Sequence, residues 1–206
     1  MSERRDKGTA SAAESGLIHP DRRDLLIGGT AVVAGAAIAA PGDAEAAKPP
    51  EKLPTQKGDR IQLIKGANKG EFVRPELIET GAKHIEAFPY DPENEVLRRK
   101  YRLNRLAVLK LDPSEMNEDT RARSVDGILV FSALCTHRAC TIKSWMPEER
   151  YLRCHCHLSQ FNALAEGRVM DGPARRALPM VPLELDEEGF VIAADTFTGK
   201  PGGAKK

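Results

Sequence analysis

From residue 58 onward the apolar positions of the chain fall in short runs separated by turn residues, with no sustained helical stripe. Residues 61–64 form one such run. Residues 103–111 (LNRLAVLKL) alternate in part, and residues 127–134 (GILVFSAL) are almost wholly apolar behind an Asp126-Gly127 turn. That pattern suits a strand buried on both faces. Residues 181–185 and 190–193 flank a polar 186–189 segment and predict a hairpin. Prolines at 75, 89, 92, 113, 147, 173, 179 and 182 argue against long helices, because each removes a backbone donor and clashes with the preceding turn. One short helix is predicted at 75–80, with Pro75 in its first turn. Residues 98–103 offer at most a helical turn. Residues 81–100, with Phe88-Pro89-Tyr90, predict a long loop, of the kind that contacts a partner. The expectation is an all-β, antiparallel fold in one domain, with an insertion in its C-terminal half.

The first fifty residues read differently. Residues 1–20 are polar and aperiodic. Asp21-Arg22-Arg23-Asp24 then precedes an uncharged, Gly/Ala-rich run over 25–40, and Ala44-Glu45-Ala46 supplies a small-x-small cleavage pattern. A paired arginine before a mild apolar segment is a twin-arginine export signal. Uncleaved, residues 25–40 would anchor the chain to the cytoplasmic membrane. Sixteen residues reach only about 24 Å as a helix, against about 30 Å of hydrocarbon, so cleavage near Ala46 is favoured. The predicted organisation is a leader over 1–46, a Lys/Pro-rich linker over 47–57, a folded domain over 58–198 and a frayed Gly-rich tail over 199–206.

The formal charge of +1 provides no field for nucleic-acid binding. The clusters Arg98-Arg99-Lys100 and Arg175-Arg176 are short and read as solvated faces; a docking patch for a redox partner is the functional alternative. His19 and His84 lack neighbours at ligand spacing and read as surface residues. Trp145, the single tryptophan, reads as packing rather than as an electron relay. No nucleophile constellation points to catalysis by this chain alone.

The concentrated chemistry lies between residues 135 and 157. All four cysteines and three of the five histidines fall there. An even cysteine count in an exported protein suggests disulfides, whereas interleaved histidines suggest a metal. The residues read Cys135-Thr136-His137-Arg138-Ala139-Cys140 and Cys154-His155-Cys156-His157-Leu158-Ser159. Within them, C-x-H and C-x-x-H are separated by sixteen residues. These two boxes resemble those of the Rieske [2Fe–2S] proteins, in which cysteines hold one iron and histidines the other.

The resemblance covers roughly residues 102–193. It implies a Rieske-type β-sandwich or barrel with an inserted cluster-binding subdomain, and one [2Fe–2S] cluster. Cys135 and Cys154 would bind the first iron and His137 and His157 the second. Cys140 and Cys156 would form a disulfide stapling the two loops, which requires an oxidising compartment. His155 lies between two cysteines, but the C-x-x-H spacing selects His157. Gly172 and Pro173 fall where the family carries a proline loop over the cluster, and Ser159 matches a serine that donates to cluster sulfur. A zinc site would leave Cys140 and Cys156 without a role. The low-potential oxygenase and ferredoxin type lacks that cysteine pair.

Two features depart from the family pattern. Phe161 stands where high-potential relatives often carry a tyrosine whose hydroxyl donates to a ligand sulfur, so a somewhat lower potential is expected. Leu158 and Ala139 replace glycines, and Leu158 then needs a backbone conformation open to a branched residue. These changes resemble the small Rieske subunit of arsenite oxidase more than the cytochrome bc group. The expected function is one-electron transfer in the periplasm, as the small subunit or partner of an oxidoreductase feeding a cytochrome c or coupled to a large catalytic subunit. The alternative is the quinol-oxidising subunit of a cytochrome bc complex, with quinol as its small-molecule partner. Membrane contact is expected only through the N-terminal segment.

Overall fold

Strand β1 (Arg60–Leu63) buries Ile61 and Leu63 and leaves Arg60 and Gln62 partly exposed, the period-2 alternation of a strand with one face on a core. The computed structural model describes residues 48–203; residues 1–47, where a leader is expected, and the last three residues lie outside them. The other strands are β2 (Ile85–Asp91), β3 (Val96–Leu97), β4 (Leu106–Lys110), β5 (Ile128–Ser132), β6 (Ser144–Met146), β7 (Tyr151–Arg153), β8 (Gln160–Asn162), β9 (Arg168–Asp171), β10 (Leu183–Leu185) and β11 (Val191–Ala193). The fold is antiparallel and all but lacks helix: among the described residues the one α-helix is α1 (Glu118–Ala122), started by the Asn117 side chain accepting from the Thr120 N–H at 2.8 Å. No helix among them is long and apolar enough to cross a membrane.

The larger sheet runs β10-β11-β1-β2-β4-β5, with β3 paired to β2. Its two ends approach each other. Met180, just before β10, bridges to Phe131 of β5, and the Val181 N–H donates to the Val130 carbonyl at 2.8 Å. The strip therefore curls toward a barrel. The smaller sheet, β6-β7-β8-β9, is inserted between β5 and β10.

The near-continuous apolar character of β4 and β5 has a packing cause. Leu106, Val108, Ile128 and Val130 face the barrel interior with Ile61, Val181 and Val191. Leu109, Leu129 and Phe131 face a second core with Leu152, Phe161, Ile142, Cys135 and Cys154. Both strands are thus sandwiched between two apolar layers. The cysteine loops stand on the second layer, so their base is as well packed as the barrel.

Several sequence expectations change here. Residues 81–100 are not a loop: β2 is a central strand between β1 and β4. Pro89 is tolerated because β4 pairs only as far as Ala87, while β3 begins its pairing at Tyr90. Its missing N–H falls in the gap between these two partners. Arg98 is no solvated cation. It is 5% exposed, and its guanidinium binds Asp59 at 2.9 Å and Asp91 at 2.8 Å. The segment read as a linker is fastened from Pro50 onward: the Arg98 guanidinium donates to the Pro50 carbonyl, the Asn104 amide donates to the Leu53 carbonyl, and Thr55 is fully buried. The predicted helix at 75–80 is a single 3₁₀ turn, Pro75–Leu77, and another such turn, Arg102–Asn104, precedes β4. The tail is pinned as far as it is described, since Arg176 donates to the carbonyls of Lys200 and Gly202.

Candidate metal centre

Each cysteine box forms a tight turn at the end of a strand. Leaving β5, Leu134 bridges back to Thr141, the Cys135 N–H donates to the Cys140 carbonyl at 2.9 Å, and the Ala139 N–H donates to the Cys135 carbonyl at 2.8 Å. Leaving β7, the Cys154 N–H donates to the Ser159 carbonyl at 2.9 Å. Both turns need a left-handed residue, and both take it from a side-chain-bearing one: Ala139 at φ 56° and Leu158 at φ 61°. The glycine-free boxes therefore keep a glycine-like backbone, at a cost of about 1–2 kcal/mol each. The expectation that Leu158 would adopt a conformation comfortable for a branched residue is not met.

The two turns face each other. Cys140 and Cys156 are joined as a disulfide with Cα atoms 6.5 Å apart, and Cys135 and Cys154 remain as free, buried thiols. The Cys154 sulfur lies within 4.8 Å of both disulfide sulfurs. The rings of His137 and His157 meet edge to face with centroids 4.6 Å apart. His157 is exposed and His137 half-buried. His155 points elsewhere: it is exposed and hydrogen-bonds with the Ser144 hydroxyl of β6.

The electrostatics of this group suit a metal ligand set. Burial, then the neighbouring Cys154, pushes the Cys135 thiol above its ordinary value, against donation to its sulfur from the His137 N–H and Ser159. A bound cation would reverse this, since metal ligation requires the thiolate. Desolvation, followed by His157 and Arg138, holds the His137 pKa below the ordinary imidazole value, which favours the neutral ring. Its Nδ1 is buried with no hydrogen-bond partner. An orphaned imidazole nitrogen beside two free buried thiols and a second imidazole fits mixed sulfur–nitrogen ligation of two irons.

The surrounding residues close the site. Ser159 is fully buried, and its Oγ accepts from the Ala174 N–H at 3.2 Å. Gly172 packs on the Ser159 backbone, and Pro173 lines a groove with Thr136, His137, Arg175 and Arg176. Phe161 is completely buried in β8, in the apolar layer that also holds Cys154. Trp145 packs on that layer and donates from Nε1 to the Gly81 carbonyl at 3.0 Å, tying the inserted sheet to the barrel. His84, read as a surface residue, is only 7% exposed and its Nε2 lies 3.3 Å from the Ile142 carbonyl. His19 lies outside the described residues. Sequence reasoning missed Thr136 and Arg176 as site residues: the Thr136 hydroxyl donates to the Arg176 carbonyl at 2.7 Å.

Residues 92–182 match the family model of the Rieske [2Fe-2S] domain. The cytochrome bc1 complex Rieske iron-sulfur subunit of Corynebacterium diphtheriae is 42% identical over 74 residues, 36% of this chain and 18% of that protein. The subunit of the same description from Streptomyces lividans is 27% identical over 163 residues, 76% of this chain and 93% of the relative. The match thus spans less than a fifth of the corynebacterial protein, yet nearly all of the Streptomyces sequence. A solved structure, the plasma membrane Rieske protein from Synechocystis PCC 6803, aligns with a TM-score of 0.33 at 21% identity, over 52% of this chain and 83% of that one. Residues 92–182 thus carry a Rieske [2Fe–2S] domain, a domain that binds one such cluster.

Proposed function

We propose that Cys135 and Cys154 hold one iron of the cluster, that His137 and His157 hold the other through ring nitrogens, and that electrons pass to a protein partner at the exposed His157 edge. The observation that carries this reading is the convergence of two free, buried thiols and two imidazoles, of which His157 is the more exposed. When bound, the cluster supplies a reversible one-electron couple. The chain supplies the rest: a dry base of Leu152, Phe161 and Phe131, a disulfide that holds the turns together, and a rim for docking. Leu158, next to His157, is 48% exposed. Arg138, next to His137, and Arg175, in the groove that His137 lines, have no carboxylate partner among the described residues. An apolar tip beside two unpaired arginines favours an acidic partner surface, as on a cytochrome c or a large catalytic subunit. Electron paramagnetic resonance of the reduced holoprotein, with His157→Gln and Cys154→Ser as controls, tests the ligand set; retention of a Rieske-type signal in either variant would refute it.

A second reading, the quinol-oxidising subunit of a cytochrome bc complex, is favoured by the description of the relatives. Phe161 and Leu158 favour the first. Isolating the chain from native membranes discriminates them: co-purification of a cytochrome b supports the second, and of a molybdenum enzyme the first.

The twin-arginine leader and the Cys140–Cys156 disulfide together support export to the periplasmic side of the membrane. Replacing Arg22 and Arg23 by lysine should leave the protein in the cytoplasm, as read by cell fractionation.

A further inference from the structure

The described end of the chain lies directly against the first cysteine turn. Gly202 is buried at φ 74°, and a Cβ there would meet the Leu103 side chain at 3.2 Å and the Ala139 Cβ at 3.3 Å. Gly203 is closer still: its Cβ would lie 2.6 Å from the His137 carbonyl oxygen and 2.8 Å from the Arg138 Cα. Only glycine lets two backbones approach so nearly.

Arg176 fastens this contact from both sides. Its guanidinium donates to the carbonyls of Lys200 at 2.9 Å and Gly202 at 2.8 Å. Its own carbonyl accepts from the Thr136 hydroxyl at 2.7 Å. The Arg102 guanidinium also donates to the Ala139 carbonyl at 3.0 Å. Upstream, the Thr198 N–H donates to the Met180 carbonyl and the Met180 N–H donates to the Thr198 hydroxyl, so the strap leaves from a fixed point on the barrel. Residues 136–139 are therefore held by three separate parts of the chain as well as by their own turn.

We propose that the C-terminal strap, residues 199–203, with Arg176 as its positioning residue, fixes the His137-bearing turn and so controls how firmly the cluster is held. The turn needs such support because its left-handed Ala139 costs conformational energy and its exposed position offers little buried area. A charge-assisted fork onto two carbonyls, with a glycine backbone wedged against the loop, supplies it without covering the adjacent His157. This inference rests on His137 being an iron ligand.

The test uses full-length holoprotein carrying Arg176→Met, Gly203→Val, or both. Loss of the visible absorption of the cluster under a chelator should quicken about tenfold in each single variant, which for Arg176→Met is about the net worth of one hydrogen bond at a partly exposed site. The electron paramagnetic resonance lines should shift or broaden, and amide exchange at residues 136–140 should rise while β4 and β5 stay protected. The double variant should be little worse than either single one, because both break the same device. Unchanged cluster release and unchanged exchange in the singles would overturn the proposal, as would full additivity in the double. A His137→Gln variant that keeps a Rieske-type spectrum would refute the ligand assignment instead, whatever the strap variants do.

Discussion

Gly172 presses its Cα onto the backbone of Ser159: a Cβ at residue 172 would lie 2.5 Å from the Ser159 Cα and 2.7 Å from its nitrogen, at a φ of 84°. The proline loop is thereby seated on the second cysteine turn, with the Ala174 N–H donating to the Ser159 hydroxyl. Gly172→Ala should cost about 3 kcal/mol, combining overpacking with an unfavourable backbone. Thermal melting together with iron content checks this; a fully loaded variant with an unchanged melting temperature would show that the loop moves freely.

Leu158 offers the opposite experiment. It is exposed, it packs little, and it holds φ at 61°. Leu158→Gly should relieve about 1 kcal/mol net, the left-handed penalty less the extra entropy of glycine in the unfolded chain. The melting temperature should rise by a few degrees. A fall would mean that the leucine side chain contributes packing that its exposure conceals.

Phe161 sets a prediction about potential. It is fully buried in the layer that holds Cys154. Phe161→Tyr should bring a hydroxyl to a ligand sulfur and stabilise the reduced, more negative cluster. One such bond, at about 1.4 kcal/mol, corresponds to about 60 mV upward for a single electron. Protein-film voltammetry measures it, and a lower potential would refute the assignment.

Reducing the disulfide should loosen the site before it loosens the barrel. The Cys140–Cys156 link closes a loop with a sequence separation of 16, for which chain entropy gives about 3 kcal/mol. With Cys140→Ser and Cys156→Ser, cluster release should accelerate while far-ultraviolet dichroism stays native. Simultaneous loss of both signals would mean that the inserted sheet and barrel fold as one unit.

His84 gives a dependence on pH. Burial lowers its pKa first, with Lys83 and Lys65 adding to the effect; the hydrogen bond to the Ile142 carbonyl and the charge of Glu86 oppose it. The unfolded chain titrates near about 6.5. Below that pH the unfolded state binds a proton that the folded state refuses, so stability falls as pH drops from 6.5 toward the folded pKa. His84→Gln should flatten the limb of a melting-temperature profile that falls as pH drops below about 6.5; an unchanged slope would assign it to other groups.

The metal-binding boxes were legible because ligand chemistry demands particular residues at particular spacings, whatever the surrounding fold. Strands β1, β4, β5, β10 and β11 were legible because their apolar runs are bounded by turns. Strand β2 was not, since Pro89 and the charged Glu86 and Asp91 break its pattern. Its proline is accommodated by a change of neighbouring strand, a tertiary fact with no local signature. Arg98 and His84 were misread for a related reason: each is buried by partners far along the chain, Asp59 for one and Ile142 for the other. Gly202 and Gly203 looked like a loose end because close backbone approach and flexibility call for the same residue.

The chain leaves the barrel at Ser132 and returns alongside it, the Ser132 N–H donating to the Pro179 carbonyl at 2.8 Å. Departure and return are thus hydrogen-bonded neighbours, so the inserted sheet enters and leaves through one stem, while Trp145 and the strap over residues 199–203 tie it to the rest of the fold. Lengthening a loop at the rim of the head would leave the hydrogen-bond ladder below Ser132 in register.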